Sequence, residues 1–284
     1  MIELPSLLPA GSSYVRIPRS KSAAMRAILE TVQRGSRYWT GGVIPITKAM
    51  TLADKFAHRY GTGATQSKRV WDKAHSRSNS TLIMYPEDDR ALTPLRWWLL
   101  VTPGKGIVHQ GEQLRDTWEK RQRLAWGEQY ELIHLQRERK YGGGRSWTWR
   151  VTEQRNAELE AAMNALASAH GGRRTAVHET GVLFAKGSDR VDDLLAFIAS
   201  LKRMPGFHGI RMQQMKLYAL GRACWERTHG GELLVATSDA RDGSKPALVS
   251  GWPARVPYVD KRQLVYHRPH PLTLDVLVRL YERR

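Results

Sequence analysis

The stretch YGGGRSWTWR at residues 141–150 sets three glycines against an arginine and two tryptophans spaced by one residue. Residues of these types serve three kinds of chemistry: a phosphate cradle of backbone amides, a tight β-turn, or an aromatic platform on which a base stacks. A phosphate loop needs a helix directly after its glycines, because the helix N-terminus offers unbonded N–H groups to the anion. Here the alternation of RSWTWRV predicts a strand, so the glycines read as the bend of a β-hairpin. Successive strand side chains alternate across the pleat, which puts Trp147, Trp149 and Val151 on one face and Ser146, Thr148 and Arg150 on the other. The two indoles therefore act together, inward or outward. Around the bend, Arg137, Arg139, Lys140, Arg145 and Arg150 make a charged finger that can grip a phosphate backbone. The competing role is a charged turn that keeps neighbouring sheet edges apart.

Other chemistries find less support. His267 and His270 in YHRPHP have two residues between them, but Pro269 and Pro271 constrain that backbone and no thiol or carboxylate joins them. His178 and Glu179 are a similarly weak pair. The acidic groups Glu87-Asp88-Asp89 and Asp192-Asp193 read as turn and helix-start residues rather than a two-metal site. No GxSxG elbow, papain-like cysteine motif or GxxxxGK[ST] loop is present. Cys224 is the single cysteine, so the chain holds no internal disulfide or multi-cysteine metal site. Neither a metal nor a cofactor is expected.

The charge balance is the stronger signal. Among 284 residues, 45 Lys and Arg against 27 Asp and Glu leave a formal charge of +18, which calls for a polyanionic partner. The basic residues run from Arg16 to Arg284, whereas a peripheral membrane binder concentrates them in one amphipathic helix or tail. No apolar run reaches the ~20 residues of a membrane span, and the N-terminus lacks a signal-peptide pattern, so a cytoplasmic protein is expected. Tryptophan and tyrosine are interleaved with arginine in RYW (37–39), RWW (96–98), RSWTWR (145–150) and CWER (224–227), which suits stacking on unpaired bases beside phosphate contacts. Most tryptophans are nevertheless core residues whose edges arginines cover.

The elements that would position these residues follow from periodicity. SSYVRIP reads as a strand and KSAAMRAILETVQRG as a helix ended by Gly35, a β-α opening. RYWTGGVIPIT reads as a bulged or edge strand, 47–60 as a helix, and the basic stretch 61–80, with Lys68, Arg69, Lys73 and Arg77 near helical spacing, as holding one more. STLIMYP and LRWWLLVT are strands, 111–122 is an amphipathic helix, and the hairpin follows. Helices are expected over 153–170, 189–203 and 209–228, with MPGF between the last two as a stop and restart. The last of these has one stripe of Arg211, Met215, Tyr218, Arg222 and Trp225 and another of Ile210, Leu217, Leu220 and Cys224. GELLVATS and VDKRQLVYHR are further strands, and a closing helix is capped by Thr273 or Asp275. The reading divides the chain into an α+β nucleic-acid-binding domain at 1–152, a helical region at 153–229, and C-terminal strands and helix at 230–284 that complete the core.

The segments RYWTGG, RWWLLVT, RLAWGEQYEL and GGGRSWTWRVT resemble accessory proteins of proteobacterial plasmids and integrative elements. More narrowly, the chain resembles the repeat-processing endoribonucleases of plasmid-borne type IV CRISPR systems. That resemblance implies a ferredoxin-like or RRM-like N-terminal core, a hairpin RNA as ligand, a ribonucleoprotein as the working assembly, and metal-independent cleavage by a 2′-hydroxyl with the hairpin product retained. Such chemistry needs a group that orients or deprotonates the 2′-OH and cationic donors for the charged phosphorane, a role the arginine fork fills bidentately. On location the catalytic candidates are Arg37, Tyr38 and Arg241, with Arg19, Arg26, Arg34, Lys245, Arg211 and Arg222 joining Trp147, Trp149 and the finger as contacts to nucleic acid. Non-catalytic binding of duplex DNA for plasmid maintenance, replication or transfer is the alternative, and docking to an acidic protein the third reading.

Overall fold

Strand β1 (Arg16–Ile17) leads into helix α1 (Lys21–Gln33), which starts where the Ser20 hydroxyl accepts a hydrogen bond from the Ala23 N–H at 3.2 Å. It stops at Gly35, whose φ of +109° is open to glycine at no steric cost. The computed structural model describes residues 15–87, 92–136, 143–168, 190–229, 234–237, 247–250 and 272–283. After α1 come strand β2 (Tyr38–Ile44), helix α2 (Ala49–Tyr60) and helix α3 (Gln66–Ala74), then strands β3 (Ser80–Pro86) and β4 (Leu95–Val101). One helical turn, α4 (Val108–Gly111), and the short strand β5 (Arg115–Asp116) follow. The amphipathic helix expected over 111–122 is thus replaced by a turn, a strand and a second short turn at Lys120–Gln122.

β4 pairs antiparallel with β3 on one side and β2 on the other, and β2 pairs with β5, giving the order β3-β4-β2-β5. β2 and β3 therefore run parallel with β4 slotted between them. This is the β-α-β-β-α-β plan of the ferredoxin-like fold, with α2 and α3 as the first crossover and α4 as the second. The α+β class is as expected, but the plan opens at RYWTGG rather than at SSYVRIP. β2 is an interior strand only at Tyr38 and Trp39, where β5 covers it, and an edge strand beyond.

Further on lie β6 (Ala125–Trp126), β7 (Tyr130–Gln136) and β8 (Arg145–Val151), a three-stranded sheet in that order. Helices α5 (Glu153–Ala167), α6 (Arg190–Lys202) and α7 (His208–His229) precede the antiparallel pair β9 (Leu234–Thr237) and β10 (Ala247–Ser250). β11 (Leu272–Thr273) pairs with β1 and runs into helix α8 (Leu274–Glu282), whose N-cap is Thr273. The strand expected at VDKRQLVYHR lies outside the described residues.

The chain divides into two units, one of Met1–Ala125, Leu132–Trp149 and Tyr266–Arg284, the other of Trp126–Glu131 and Arg150–Val265. In the first, Leu82, Met84, Leu95, Leu99 and Val101 pack with Ala53 and Phe56 of α2 and with Leu274 and Leu277 of α8. The strand period sends Ile83, Tyr85, Trp98 and Leu100 to the opposite face, and these are buried too. α1 packs on β3 and β4, burying Ala24, Met25, Ile28 and Val32. The Trp39 and Trp98 indoles donate to the carbonyls of Gln122 at 2.8 Å and Ala125 at 3.2 Å, so the 118–125 segment straps that side. Both faces of the sheet are closed, which is why β3 and β4 read as unbroken apolar runs.

In the second unit, α5, α6 and α7 bury Leu159, Met163, Phe197, Ile198, Leu217 and Cys224. The Gln213 amide bonds both backbone groups of Val151, at 2.8 and 3.0 Å, as a neighbouring strand would. Trp225 is buried beside Cys224, so it belongs to the packed stripe of α7 and not to the basic one. Among the described residues no helix is long and apolar enough to cross a membrane.

Candidate nucleic-acid interface

An RRM-type protein stacks bases on the open face of its sheet. Here that face is covered, and the side chains it would offer, Trp39 and Trp98, are buried and hydrogen-bonded. Beyond the end of the sheet exposed side chains return, although Ser80 and Val101 of its last row are themselves buried. The register places Ser80, Val101, Tyr38 and Asp116 in one row across the four strands. The residues that flank this row are polar, basic and aromatic.

At the β5 edge an aromatic cluster forms. His134 of β7 stacks on Trp147 of β8, with centroids 4.8 Å apart and planes 26° from parallel. Trp118 stands edge-on to both, at 4.6 Å from His134 and 5.2 Å from Trp147, and is 52% exposed. The exposed part of this indole is open to a flat ligand. Trp118 is held by its neighbours: the Asp116 carboxylate accepts its N–H at 2.9 Å, and the Thr117 N–H and hydroxyl both donate to the Arg37 carbonyl, at 2.9 and 2.8 Å. The Asp116 N–H in turn donates to the Gln122 side chain at 2.8 Å.

Arg37 completes the anchor. Its Nε and Nη2 both donate to Asp116 Oδ2, at 2.8 and 2.6 Å. The hydrogen bond and charge of Asp116 raise the guanidinium pKa further, so Arg37 serves as a fixed cation and not as a proton acceptor. Burial alone would raise the Asp116 carboxyl; the bonds from Arg37 and from the Trp118 N–H outweigh it and hold the group below its ordinary range. Tyr38 is half-buried, edge-on to His109 at 5.3 Å and 89°, with the Arg37 guanidinium 5.6 Å from its ring. His134 is pushed below its ordinary pKa, by burial first and then by the Arg145 charge, so its imidazole is neutral at neutral pH. Arg145 is exposed, its Nε donating to Gln136 at 3.1 Å.

The structure therefore joins Arg37, Tyr38, Arg145 and Trp147 at one end of the sheet. Two expected contacts are corrected. Trp149 shares a strand face with Trp147 but is fully buried, its indole N–H donating to the Met25 carbonyl of α1 at 2.8 Å. Arg150 is taken by two carboxylates, Glu131 and Glu153, the Nε bond to Glu131 measuring 2.6 Å and the Nη2 bond to Glu153 2.9 Å. Arg19 and Arg26 are exposed at α1, and Arg34 is exposed and 3.4 Å from Glu30. Arg211 and Arg222 are exposed on α7 in the second unit, Arg222 bound to Glu226 at 2.7 Å. Arg137, Arg139, Lys140, Arg241 and Lys245 lie outside the described residues. Among those described, no three His, Cys, Asp or Glu side chains gather as a metal site.

Trp118 and His134 are absent from the sequence-based candidates. Trp118 carried a usable signal, a lone aromatic in the charged run RDTWEKRQR. His134 carried none, since its role depends on two rings distant in sequence. Comparison of the chain with protein-family models, with curated proteins and with solved structures finds no match.

Proposed function

We propose that the protein binds RNA, gripping the backbone with arginines at the end of its first-unit sheet and stacking an unpaired base on the Trp118–His134–Trp147 cluster. The observation that carries this reading is the half-exposed Trp118, fixed by Asp116 and Arg37 in a chain of formal charge +18. A surface of this make-up discriminates by base accessibility: a loop or flank of a hairpin offers a free base, whereas the bases of a duplex are stacked on each other. The ligand is accordingly a hairpin RNA with unpaired residues in preference to duplex DNA, and the setting is a cytoplasmic ribonucleoprotein of a mobile element. The test is a titration of hairpin RNA and of duplex DNA into wild type and Trp118→Ala. Loss of one stacked base predicts about tenfold weaker RNA binding, or more, with duplex affinity unchanged. Equal affinity for both nucleic acids, with no effect of the substitution, refutes the proposal.

His134 favours a second reading, metal-independent cleavage. A neutral imidazole can accept the 2′-hydroxyl proton as that oxygen attacks the adjacent phosphorus and the P–O5′ bond breaks; the proton then passes from the imidazolium, directly or through water, to the departing O5′, leaving a cyclic phosphate and a 5′-hydroxyl. Arg37 and Arg145 would then face the charged phosphorane. Incubation with EDTA of the hairpin and of its 2′-deoxy analogue decides it: cleavage confined to the ribose form supports it, and an intact ribose hairpin refutes it.

A further inference from the structure

A second aromatic site sits at the opposite edge of the same sheet. Trp71 of α3 is 44% exposed, next to Val70 at 59%. His75 stacks on its ring at 4.1 Å and 28°, and the Lys68 ammonium and Arg77 guanidinium lie 4.8 and 4.9 Å from its centroid. Lys73 is exposed on the same helix and Lys105 in the adjoining loop. α3 is pinned rather than loose: Arg69 donates to Thr81 of β3 at 3.0 Å and to the Thr62 carbonyl at 2.8 Å, while Asn79 donates to the Arg69 carbonyl at 3.0 Å. Arg77 and Lys105 are bridged, with the Ser78 N–H donating to the Lys105 carbonyl at 3.0 Å and the Lys105 N–H to the Ser76 carbonyl at 2.8 Å.

α3 ends at Ala74, and residues 75–79, which include the Arg77–Lys105 bridge, lead into β3 at Ser80; Trp118 follows β5 two residues after Asp116. Ser80 and Asp116 are the two ends of the row Ser80, Val101, Tyr38, Asp116, so both aromatic sites flank the same end of the sheet. Three strand spacings of ~4.8 Å separate the edges by about 14 Å, which at ~3.4 Å per stacked nucleotide is about four steps. Arg77 and Lys105 pair ahead of the Ser80 end, and Arg37 and Tyr38 stand at the Asp116 end, with Val101 and Ser80 buried beneath.

We propose that Trp71 is a second base-stacking site and that a single-stranded stretch of nucleic acid runs along the sheet end from Trp118 to Trp71. This rests on the RNA-binding reading above and extends it from one base to a continuous unpaired segment. Charge complementarity selects the occupant: with Lys68 paired to Asp72, Arg77 over the ring and the exposed Lys73 and Lys105 nearby leave an excess of positive charge, which suits a polyanion with flat bases and opposes a basic peptide. A cation over an exposed ring is held weakly, so an incoming base displaces Arg77, which turns to the neighbouring phosphate, while Lys68 stays paired with the buried Asp72.

The experiment measures fluorescence anisotropy of labelled uridine oligomers of about three and about twelve nucleotides, short and long against the span. Proteins are wild type, Trp71→Ala, Trp71→Phe, Trp118→Ala and the double alanine variant. For the long oligomer, each alanine variant should bind about tenfold weaker, Trp71→Phe should retain most of the affinity, and the pair should couple non-additively. The short oligomer should bind wild type far more weakly than the long one does. Long-oligomer affinity unchanged in Trp71→Ala but reduced in Trp118→Ala overturns this inference and leaves the RNA-binding reading standing. Affinity unchanged in both overturns the two together. Circular dichroism of Trp71→Ala separates a lost stacking site from a melted helix; if α3 melts, Trp71→Phe and Arg77→Ser carry the test, and unchanged long-oligomer affinity in Arg77→Ser overturns it.

Discussion

Trp147 and Trp149 lie on one strand face yet do different work, and a substitution at Trp149 exposes the difference. The Trp149 ring is fully buried and its N–H is bonded to the Met25 carbonyl. Truncation to alanine removes a large apolar group from a packed interior, a change that costs about 3–5 kcal/mol. The milder Trp149→Phe keeps a ring, loses the hydrogen bond (about 1 kcal/mol) and leaves a smaller void, for a total of about 2 kcal/mol. At about 2–4 °C per kcal/mol, the phenylalanine variant should melt about 4–8 °C below wild type. Differential scanning calorimetry measures that shift, and a parallel titration with hairpin RNA well below the transition should give wild-type affinity, since the surviving molecules are folded. Tenfold weaker binding with an unchanged melting temperature would mean that the indole belongs to the binding surface, and would refute the partition of the pair.

Three further outcomes follow from the same geometry. Because the folded-state pKa of His134 lies below its unfolded value of 6.5, the unfolded chain takes up the proton first as pH falls; stability present above that value is lost on acidification through the folded pKa. Comparing melting at about pH 7.5 and about pH 5, His134→Leu should lose less than wild type, and an equal loss would show that the ring does not titrate in this way. Asp116→Ala frees Arg37 and the Trp118 N–H together, so RNA affinity should fall severalfold, and unchanged binding would show that Trp118 needs no anchor. At Gly104, φ is +136° and a Cβ would sit 2.8 Å from Ser76 O, Arg77 C and Ser78 N, so Gly104→Ala should destabilise the first unit by about 1–3 kcal/mol in urea titration. A neutral result would mean that the loop beside α3 gives way freely.

The strands were legible where their environment was uniform. STLIMYP and LRWWLLV are apolar at almost every position because both sheet faces are buried, and no other element competes for that pattern. The segment 111–122 was misread for the opposite reason. Its spacing suits a helix, but Thr117 spends both of its donors on the Arg37 carbonyl and Asp116 pairs with Tyr38, contacts that exist only in the folded chain. The hairpin shows the limit of periodicity itself: it places Trp147 and Trp149 on one face, but which of them α1 covers depends on a partner 124 residues away from Trp149. The charge pointed to a polyanion without saying which arginines remain available, and Arg150 is withdrawn only by the two carboxylates that meet it in the fold.

That long reach also orders events during synthesis. A ribosome adds Met25 early and Trp149 much later, with the whole ferredoxin-like sheet emerging in between. Trp118 and His134 are made before Trp147, so the three-ring cluster cannot be complete until β8 has been synthesised. A nascent chain this basic emerges beside ribosomal RNA. Tying the three-ring cluster to the last strand of the hairpin leaves it incomplete until Trp147 has joined His134 and Trp118.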